Sequence, residues 1–129
     1  MRIVWMALLG LLLLAPGMAQ KKSPPSVGMK LVKLDKTTTA NPNESLYELS
    51  LELTNTGPEL VRFNNNEVLL VDDQDKYHRV VRLRNRQVMI LKPGESVVAD
   101  RMFYQLPNGV KPKRAVLRVG NKILGETAL

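Results

Sequence analysis

The 129-residue chain has no cysteine and few residues that support catalysis. Without cysteine no disulfide can form, so a folded domain must be held by its hydrophobic core alone. A single histidine, His78, leaves almost no arrangement in which a base could activate a nucleophile. Aromatic residues make up only 5% of the chain, and the one tryptophan is Trp5. A platform on which nucleic-acid bases stack is therefore poorly supplied.

Residues 1–19 have the pattern of a secretory signal peptide. Arg2 provides the positive charge at the start, and Ile3–Ala15 is an apolar run shorter than the roughly 20 residues of a membrane-spanning helix. Small residues follow, and cleavage is expected after Ala19. The short run argues against the alternative of an uncleaved anchor, and the absence of cysteine argues against a lipid anchor. The pattern predicts export to the periplasm or the extracellular space.

The remaining chain, Gln20–Leu129, suits one domain with one core. Residues 20–27 contain two prolines and two lysines, which predicts a disordered linker before a domain at 28–129. The net charge of +7 becomes +6 when Arg2 leaves with the signal. This excess favours anionic partners such as phospholipid headgroups, lipopolysaccharide or acidic wall polymers.

One stretch, Tyr47–Thr54, alternates apolar and polar residues, the period of a half-buried strand. Asn41 before Pro42 resembles the start of a helix, but a helical period would place Ser50 and Thr54 on the apolar face. The strand is therefore the better prediction. Its expected core residues are Tyr47, Leu49, Leu51 and Leu53.

Short apolar runs separated by turn residues fill the rest of the domain. Tyr77–Arg86 is predicted as one strand with a basic end, and Ser96–Leu106 as a long or bulged strand. With turns every eight to twelve residues, the pattern predicts an all-β, immunoglobulin-like antiparallel β-sandwich of about seven to nine strands.

Four segments resemble landmarks of a family of bacterial secreted telokin-like domains: Leu53–Gly57, Leu70–Tyr77, Leu91–Ser96 and Met102–Pro107. The resemblance spans roughly residues 31–119. It implies an exported immunoglobulin-like domain and no catalytic residues, since the family is largely of unknown function. Asp75 stands where the family commonly has glycine, and aspartate also tolerates a left-handed backbone.

The most suggestive candidate site is a basic segment near the end of the predicted Tyr77–Arg86 strand. In a strand, Arg82, Arg84 and Arg86 would share one face at intervals of about 6.6 Å. Such a row can pair with phosphates or carboxylates along a polymer. If the sheet brings them near, the patch would be extended by Lys111, Lys113, Arg114 and Arg118. The alternative is a solvated strand whose charges discourage edge pairing.

Three other groups of residues are poorer candidates for a site. Asp72, Asp73 and Asp75 lack the spacing and bidentate glutamate of a calcium loop. A copper site needs clustered soft ligands, whereas His78 is accompanied by methionines in apolar runs: Met29, Met89 and Met102. Glu48 and Glu52 project from one strand face, with no cleft indicated for glycosidase chemistry. No cofactor or metal is predicted.

These observations predict a non-enzymatic binding module that contacts an anionic polymer or surface. The alternative is a protein–protein interaction or inhibitor module that uses a sheet edge or the residues near Phe103 and Tyr104. A third hypothesis, an unrecognised hydrolase, would depend on His78 or the aspartates beginning at Asp72.

Overall fold

The computed structural model describes residues 26–129. The predicted signal peptide, and the predicted linker up to residue 25, lie outside the described residues. Within residues 26–129 the regular structure is β-strand apart from one 3₁₀ turn, Asn65–Glu67. No helix in this part of the chain is long and apolar enough to cross a membrane.

The described part of the chain contains ten strands. They are β1 (Val27–Thr38), β2 (Glu44–Asn55), β3 (Val61–Asn64), β4 (Val68–Asp72), β5 (Tyr77–His78), β6 (Arg82–Leu83), β7 (Val88–Leu91), β8 (Ser96–Pro107), β9 (Pro112–Val119) and β10 (Lys122–Ala128). Long strands β1, β2 and β8 form most of one sheet, while β5 and β6 have two residues each.

The strands form two four-stranded antiparallel sheets, ordered β1-β2-β8-β6 and β10-β9-β4-β5. Strands β3 and β7 pair separately as a two-stranded ribbon. This order follows the immunoglobulin arrangement, in which the first, second, fifth and fourth strands face a sheet built from the third, sixth and seventh. The domain is an immunoglobulin-like β-sandwich, as the sequence predicts.

Strand β2 supplies much of the core between the sheets. Tyr47, Leu49, Leu51 and Leu53 are all buried, which confirms their assignment as core residues. Ser50 is buried as well, although the alternating pattern places it on the polar face. The registers of both neighbouring strands shift beside it, between Leu31 and Lys33 on β1 and between Leu49 and Leu51 against β8. Such bulges bend and twist the sheet locally.

The β8 bulge contains Asp100 and Arg101, and Arg101 has a positive φ of 53°. The predicted break in alternation along this strand is therefore a real irregularity. Farther along β8, the buried Tyr104 hydroxyl donates a hydrogen bond to the carbonyl oxygen of Val68 at 2.7 Å. This bond joins the two sheets through the core, and burial raises the pKa of Tyr104.

The prediction of a single strand over Tyr77–Arg86 is wrong. Strand β5 pairs with β4 in one sheet, and β6 pairs with β8 in the other. Residues 79–81 carry the chain from one sheet to the other, and residues 84–87 are irregular. Alternation of residue types cannot indicate this crossing, because it describes which face a side chain occupies and not which strand is the partner.

The first strand begins before the predicted domain boundary. Strand β1 starts at Val27, the last residue of the predicted linker, and continues through Thr38. Val27 is buried where β1 approaches β10, and a Cβ atom at Gly125 would overlap the Val27 carbonyl oxygen. Gly125 therefore permits a close backbone contact between the edges of the two sheets.

Candidate anion-binding site

Three arginines line one depression beside β6. We call this depression, with a volume of about 280 Å³, the arginine cleft. Its lining residues are Asn66, Arg79, Val80, Val81, Arg82, Leu83 and Arg86. The crossing between the sheets supplies Arg79, strand β6 supplies Arg82, and the irregular segment after β6 supplies Arg86. The residue from the 3₁₀ turn is Asn66, so the cleft is assembled by the crossing rather than by one straight strand.

Arg82 is held in place by an aromatic ring. Its guanidinium lies 4.5 Å from the ring centroid of Phe103, the residue opposite it on β8. A cation–π contact uses the face of the guanidinium and leaves N–H groups at its edge for hydrogen bonds. Arg82 therefore keeps its capacity to bind an anion while its side chain is restrained.

No carboxylate neutralises the arginines of the cleft. Within residues 26–129, neither Arg79, Arg82 nor Arg86 forms an ion pair, and the lining of the cleft contains no acidic residue. Three unpaired guanidiniums around one concave surface produce a positive potential that attracts anions. The planar fork of each guanidinium matches the oxygens of a carboxylate, sulfate or phosphate.

The structure brings together only part of the predicted arginine row. Arg82 and Arg86 line the cleft, whereas Arg84 lines a neighbouring depression with Asn85 and Asp100. Arg79 also lines the cleft. Arg79 and Arg82 are three residues apart, so in one straight strand their side chains would point to opposite faces. The anion-binding role of Arg82, Arg84 and Arg86 remains a prediction.

The cations that were expected to extend the patch lie on and beside β9, in the other sheet. Lys113 Nζ lies 3.1 Å from Asp75 Oδ1, and Arg114 contacts Asp75 and Glu126 at 3.4 Å. The hydrogen bond from Lys113 is the main reason that the pKa of Asp75 is lowered. Lys111 is exposed just before β9. These cations do not line the arginine cleft, and two of them are already paired.

Arg118, the fourth cation of that expected extension, lies over another ring. Its guanidinium is 5.0 Å from the ring centroid of Tyr77, in a sheet that does not contain Arg82. The same face of the molecule holds Arg114, whose pKa is raised chiefly by a hydrogen bond with Tyr77. This second basic surface is therefore engaged with its own aromatic and acidic neighbours.

Asp72 is a structural anchor for the β4–β5 turn. One carboxylate oxygen accepts hydrogen bonds from the backbone N–H groups of Gln74 at 2.8 Å and Lys76 at 3.0 Å. The other lies 2.7 Å from His78 Nε2. Burial is the strongest influence on the pKa of Asp72 and acts to raise it. The bonds from His78, Lys76 and Gln74, with the charge on His78, outweigh burial and lower that pKa.

The other two aspartates of this turn are exposed or paired with cations. Asp75 adopts the left-handed conformation that its position suggested, with φ of 63°, and is paired with Lys113 and Arg114. Asp73 is exposed. Among the described residues, no group of three or more His, Asp or Glu side chains is arranged to hold a metal ion. The contacts of His78 and Asp72 are those of a turn brace.

The three methionines that could have been copper ligands belong to the core. Met89 and Met102 are buried, and Met29 packs against the same cluster. Glu48 lies 3.5 Å from Lys33 on the outer side of the sheet, and Glu52 is half-buried opposite Lys30. The three methionines therefore pack in or against the core, and the two glutamates lie beside lysines of β1.

Phe103 and Tyr104, near which a protein-binding surface was predicted, both have contacts within the fold. Tyr104 is completely buried, with its hydroxyl bonded to Val68, and Arg82 lies over the ring of the half-buried Phe103. A protein-binding role for the surface around Phe103 remains a prediction.

Because the pKa of Asp72 is lowered in the fold, we expect the domain to lose stability in acid. Since the pKa of this carboxylate in the fold lies below the unfolded value of about 3.9, the carboxylate stabilises the fold above that pH. This contribution is lost as the pH falls through the folded-state pKa. We expect Asp72→Asn to lower the free energy of unfolding by about 1 kcal/mol at pH 7 and by less at pH 3. Urea unfolding at the two pH values measures the difference, with exposed Asp73→Asn as the control; an equal deficit at both would contradict this prediction.

Comparison with known proteins supports the fold. The chain is similar to the 1.5 Å crystal structure of MPT63, a secreted protein from Mycobacterium tuberculosis, with a TM-score of 0.56. The two share a fold. Sequence identity is 14%, and the match covers 80% of this chain and 82% of that chain. At this identity the similarity shows that the fold is shared, and it assigns no role to any residue. No family model matches the chain, and no curated protein matches it.

Proposed function

We propose that the protein is an exported, non-enzymatic binding module that contacts anionic groups through the arginine cleft. The observation that carries this proposal is the convergence of Arg79, Arg82 and Arg86 on one concave surface without a neutralising carboxylate. An extended ligand could also contact Arg84, which lines a depression near the cleft.

Export is supported by the N-terminal sequence pattern and by the likeness to a protein described as secreted. The landmarks shared with secreted telokin-like domains lie at the strand ends and turns of this sandwich. They include the end of β2, the β4–β5 turn and the β7–β8 turn. Membership of that family, with a place in the periplasm or outside the cell, is part of the proposal.

A protein–protein module that uses a sheet edge is less well supported. The longer edge strand of the β1-β2-β8-β6 sheet is β1, which carries the exposed lysines Lys30, Lys33 and Lys36 and a bulge at Val32. Charged residues and bulges are the features by which natural sheets prevent pairing with another strand. This edge therefore favours solubility over strand addition.

The test is to remove the positive charge of the cleft while keeping the side chains polar. The triple variant Arg79→Gln, Arg82→Gln, Arg86→Gln should elute from a dextran sulfate column at clearly lower salt than the wild type. Its affinity for pyrophosphate, measured by calorimetry, should fall at least roughly tenfold, or about 1.4 kcal/mol. Both effects follow from the loss of charge-assisted hydrogen bonds.

The matched control removes the same number of charges elsewhere on the surface. Lys30, Lys36 and Arg62 are exposed and lie outside the cleft, so the triple variant Lys30→Gln, Lys36→Gln, Arg62→Gln separates local binding from net charge. We expect this control to retain wild-type affinity for pyrophosphate. If the two triple variants lose retention and affinity equally, the cleft is not the binding site.

A further inference from the structure

The arginine cleft continues into two smaller depressions lined by amide side chains. The first, of about 140 Å³, shares Asn66 and Arg86 with the cleft. The second, of about 150 Å³, shares Asn65 and Gln87 with the first and also contains Asn85. We call these two depressions the amide path. Because each shares lining residues with the next, the three concave surfaces are contiguous.

Asn65 holds the walls of the amide path in place. It is buried, its side-chain nitrogen donates to the Asn85 carbonyl oxygen at 2.7 Å, and its side-chain oxygen accepts from the Gln87 backbone N–H at 3.1 Å. The Asn65 backbone N–H also donates to the Gln87 carbonyl oxygen at 3.0 Å. The irregular segment after β6 is therefore fixed to the 3₁₀ turn, which lowers the entropy lost when a ligand binds.

Three amide side chains of the path are unused by the fold. Asn66, Asn85 and Gln87 make no side-chain hydrogen bond within the part of the chain that the structure describes, and Asn85 and Gln87 are exposed. A side-chain amide both donates and accepts hydrogen bonds, as a sugar hydroxyl does. At the far end lie Arg84 and Asp100, and the Asp100 carboxylate can accept from hydroxyl groups but repels anions. The site thus has an anion-binding end at the cleft and a hydroxyl-binding end at Asp100.

The aromatic residues argue against nucleic acid as the ligand. In residues 26–129, Tyr47, Phe63 and Tyr104 are buried, Arg82 lies over the ring of Phe103, and Tyr77, although 42% exposed, lies in the sheet that does not contain Arg82. No aromatic residue lines the arginine cleft or the amide path, so a base bound there would have no ring on which to stack, and stacking supplies much of the affinity for single strands. Polar recognition of an anionic chain rich in hydroxyl groups does not need such a ring.

We infer that the arginine cleft and the amide path together bind an acidic oligosaccharide, with a carboxylate or sulfate group in the cleft and sugar hydroxyls along the path. This inference rests on the proposed function, because it assigns the anionic end of the ligand to the same arginines. It adds a second, uncharged set of contacts through Asn85 and Gln87.

The experiment compares a tetrasaccharide with one terminal glucuronate, its methyl ester, pyrophosphate and an oligothymidylate as ligands of the full-length protein in calorimetry. We expect the wild type to bind the acidic tetrasaccharide at least roughly tenfold more tightly than the ester, since esterification removes the charge. The double variant Asn85→Ala, Gln87→Ala should weaken tetrasaccharide binding about tenfold and leave pyrophosphate binding unchanged. The backbone groups that bond to Asn65 remain in this variant. Asn121→Ala, an exposed amide in the β9–β10 turn, is the control.

Each result distinguishes this inference from the proposed function. If the double variant binds the tetrasaccharide as the wild type does, the amide path is not part of the site, although the cleft can still bind anions. If the oligothymidylate binds as tightly as the tetrasaccharide, the carbohydrate assignment is overturned in favour of nucleic acid. If the wild type binds neither pyrophosphate nor the tetrasaccharide, the proposed function itself fails.

Discussion

Leu51→Asp is expected to unfold the domain. Leu51 is completely buried in the middle of β2, between Leu31 on β1 and Ala99 on β8. A carboxylate at this position would lose its hydration without gaining a charged or hydrogen-bonding partner, at a cost of several kcal/mol. Small domains have a total stability of about 5–15 kcal/mol, so most or all of it would be lost.

Circular dichroism during urea unfolding and the dispersion of amide NMR signals measure this effect. Leu60→Asp is the matched control, since Leu60 is 57% exposed in the loop between β2 and β3. The control should unfold within about 1 kcal/mol of the wild type. A cooperative Leu51→Asp variant with similar stability would show that β2 does not form the centre of the core.

Asn55→Asp is expected to cause the second-largest loss of stability. Asn55 is buried at the end of β2, and its side-chain nitrogen donates to the carbonyl oxygens of Glu59 at 2.7 Å and Leu91 at 2.8 Å. Its side-chain oxygen accepts from the Gly57 N–H at 2.9 Å. A carboxylate cannot donate, so the substitution would place negative charge against two carbonyl oxygens. The expected cost is about 3–5 kcal/mol at pH 7.

The sign of the pH dependence provides an internal check on the Asn55→Asp variant. Repulsion and burial would raise the pKa of the introduced carboxyl above its unfolded value, so protonation would relieve the penalty. The stability deficit should therefore shrink as the pH falls from 7 to 4. Asn121→Asp, in an exposed turn, should show neither the deficit nor this trend. A deficit below about 1 kcal/mol at pH 7 would contradict the role assigned to Asn55.

Strand type was easier to predict than strand partner. The alternating pattern of β2 identified Tyr47, Leu49, Leu51 and Leu53 as core, because the side-chain period of a strand is a local property. The sheet crossing after β5 was missed, because the sequence of this segment does not record which strand pairs with it. The buried role of Asn55 has no local signal in the sequence, since its bond to Leu91 joins positions far apart in the chain.

In the candidate site, too, the local residue types were predictable and the long-range contacts were not. Its chemistry, a cluster of arginines with few acidic neighbours in sequence, was visible in the chain. The sequence did not show which arginines line the cleft, because Arg84 lies in the amide path and Arg79 lines the cleft. The pairing of Lys113 and Arg114 with Asp75 depends on the approach of β9 to the β4–β5 turn. No local pattern contains that contact.

By itself, the sequence determined the all-β class, the core face of β2, the left-handed turn at Asp75 and the net positive charge. Each of these depends on residue type and short-range backbone geometry. Only the tertiary structure decided which arginines share a concave surface and which cations are already paired. Those properties depend on strand partners and sheet crossings, which are set by packing between segments distant in the chain.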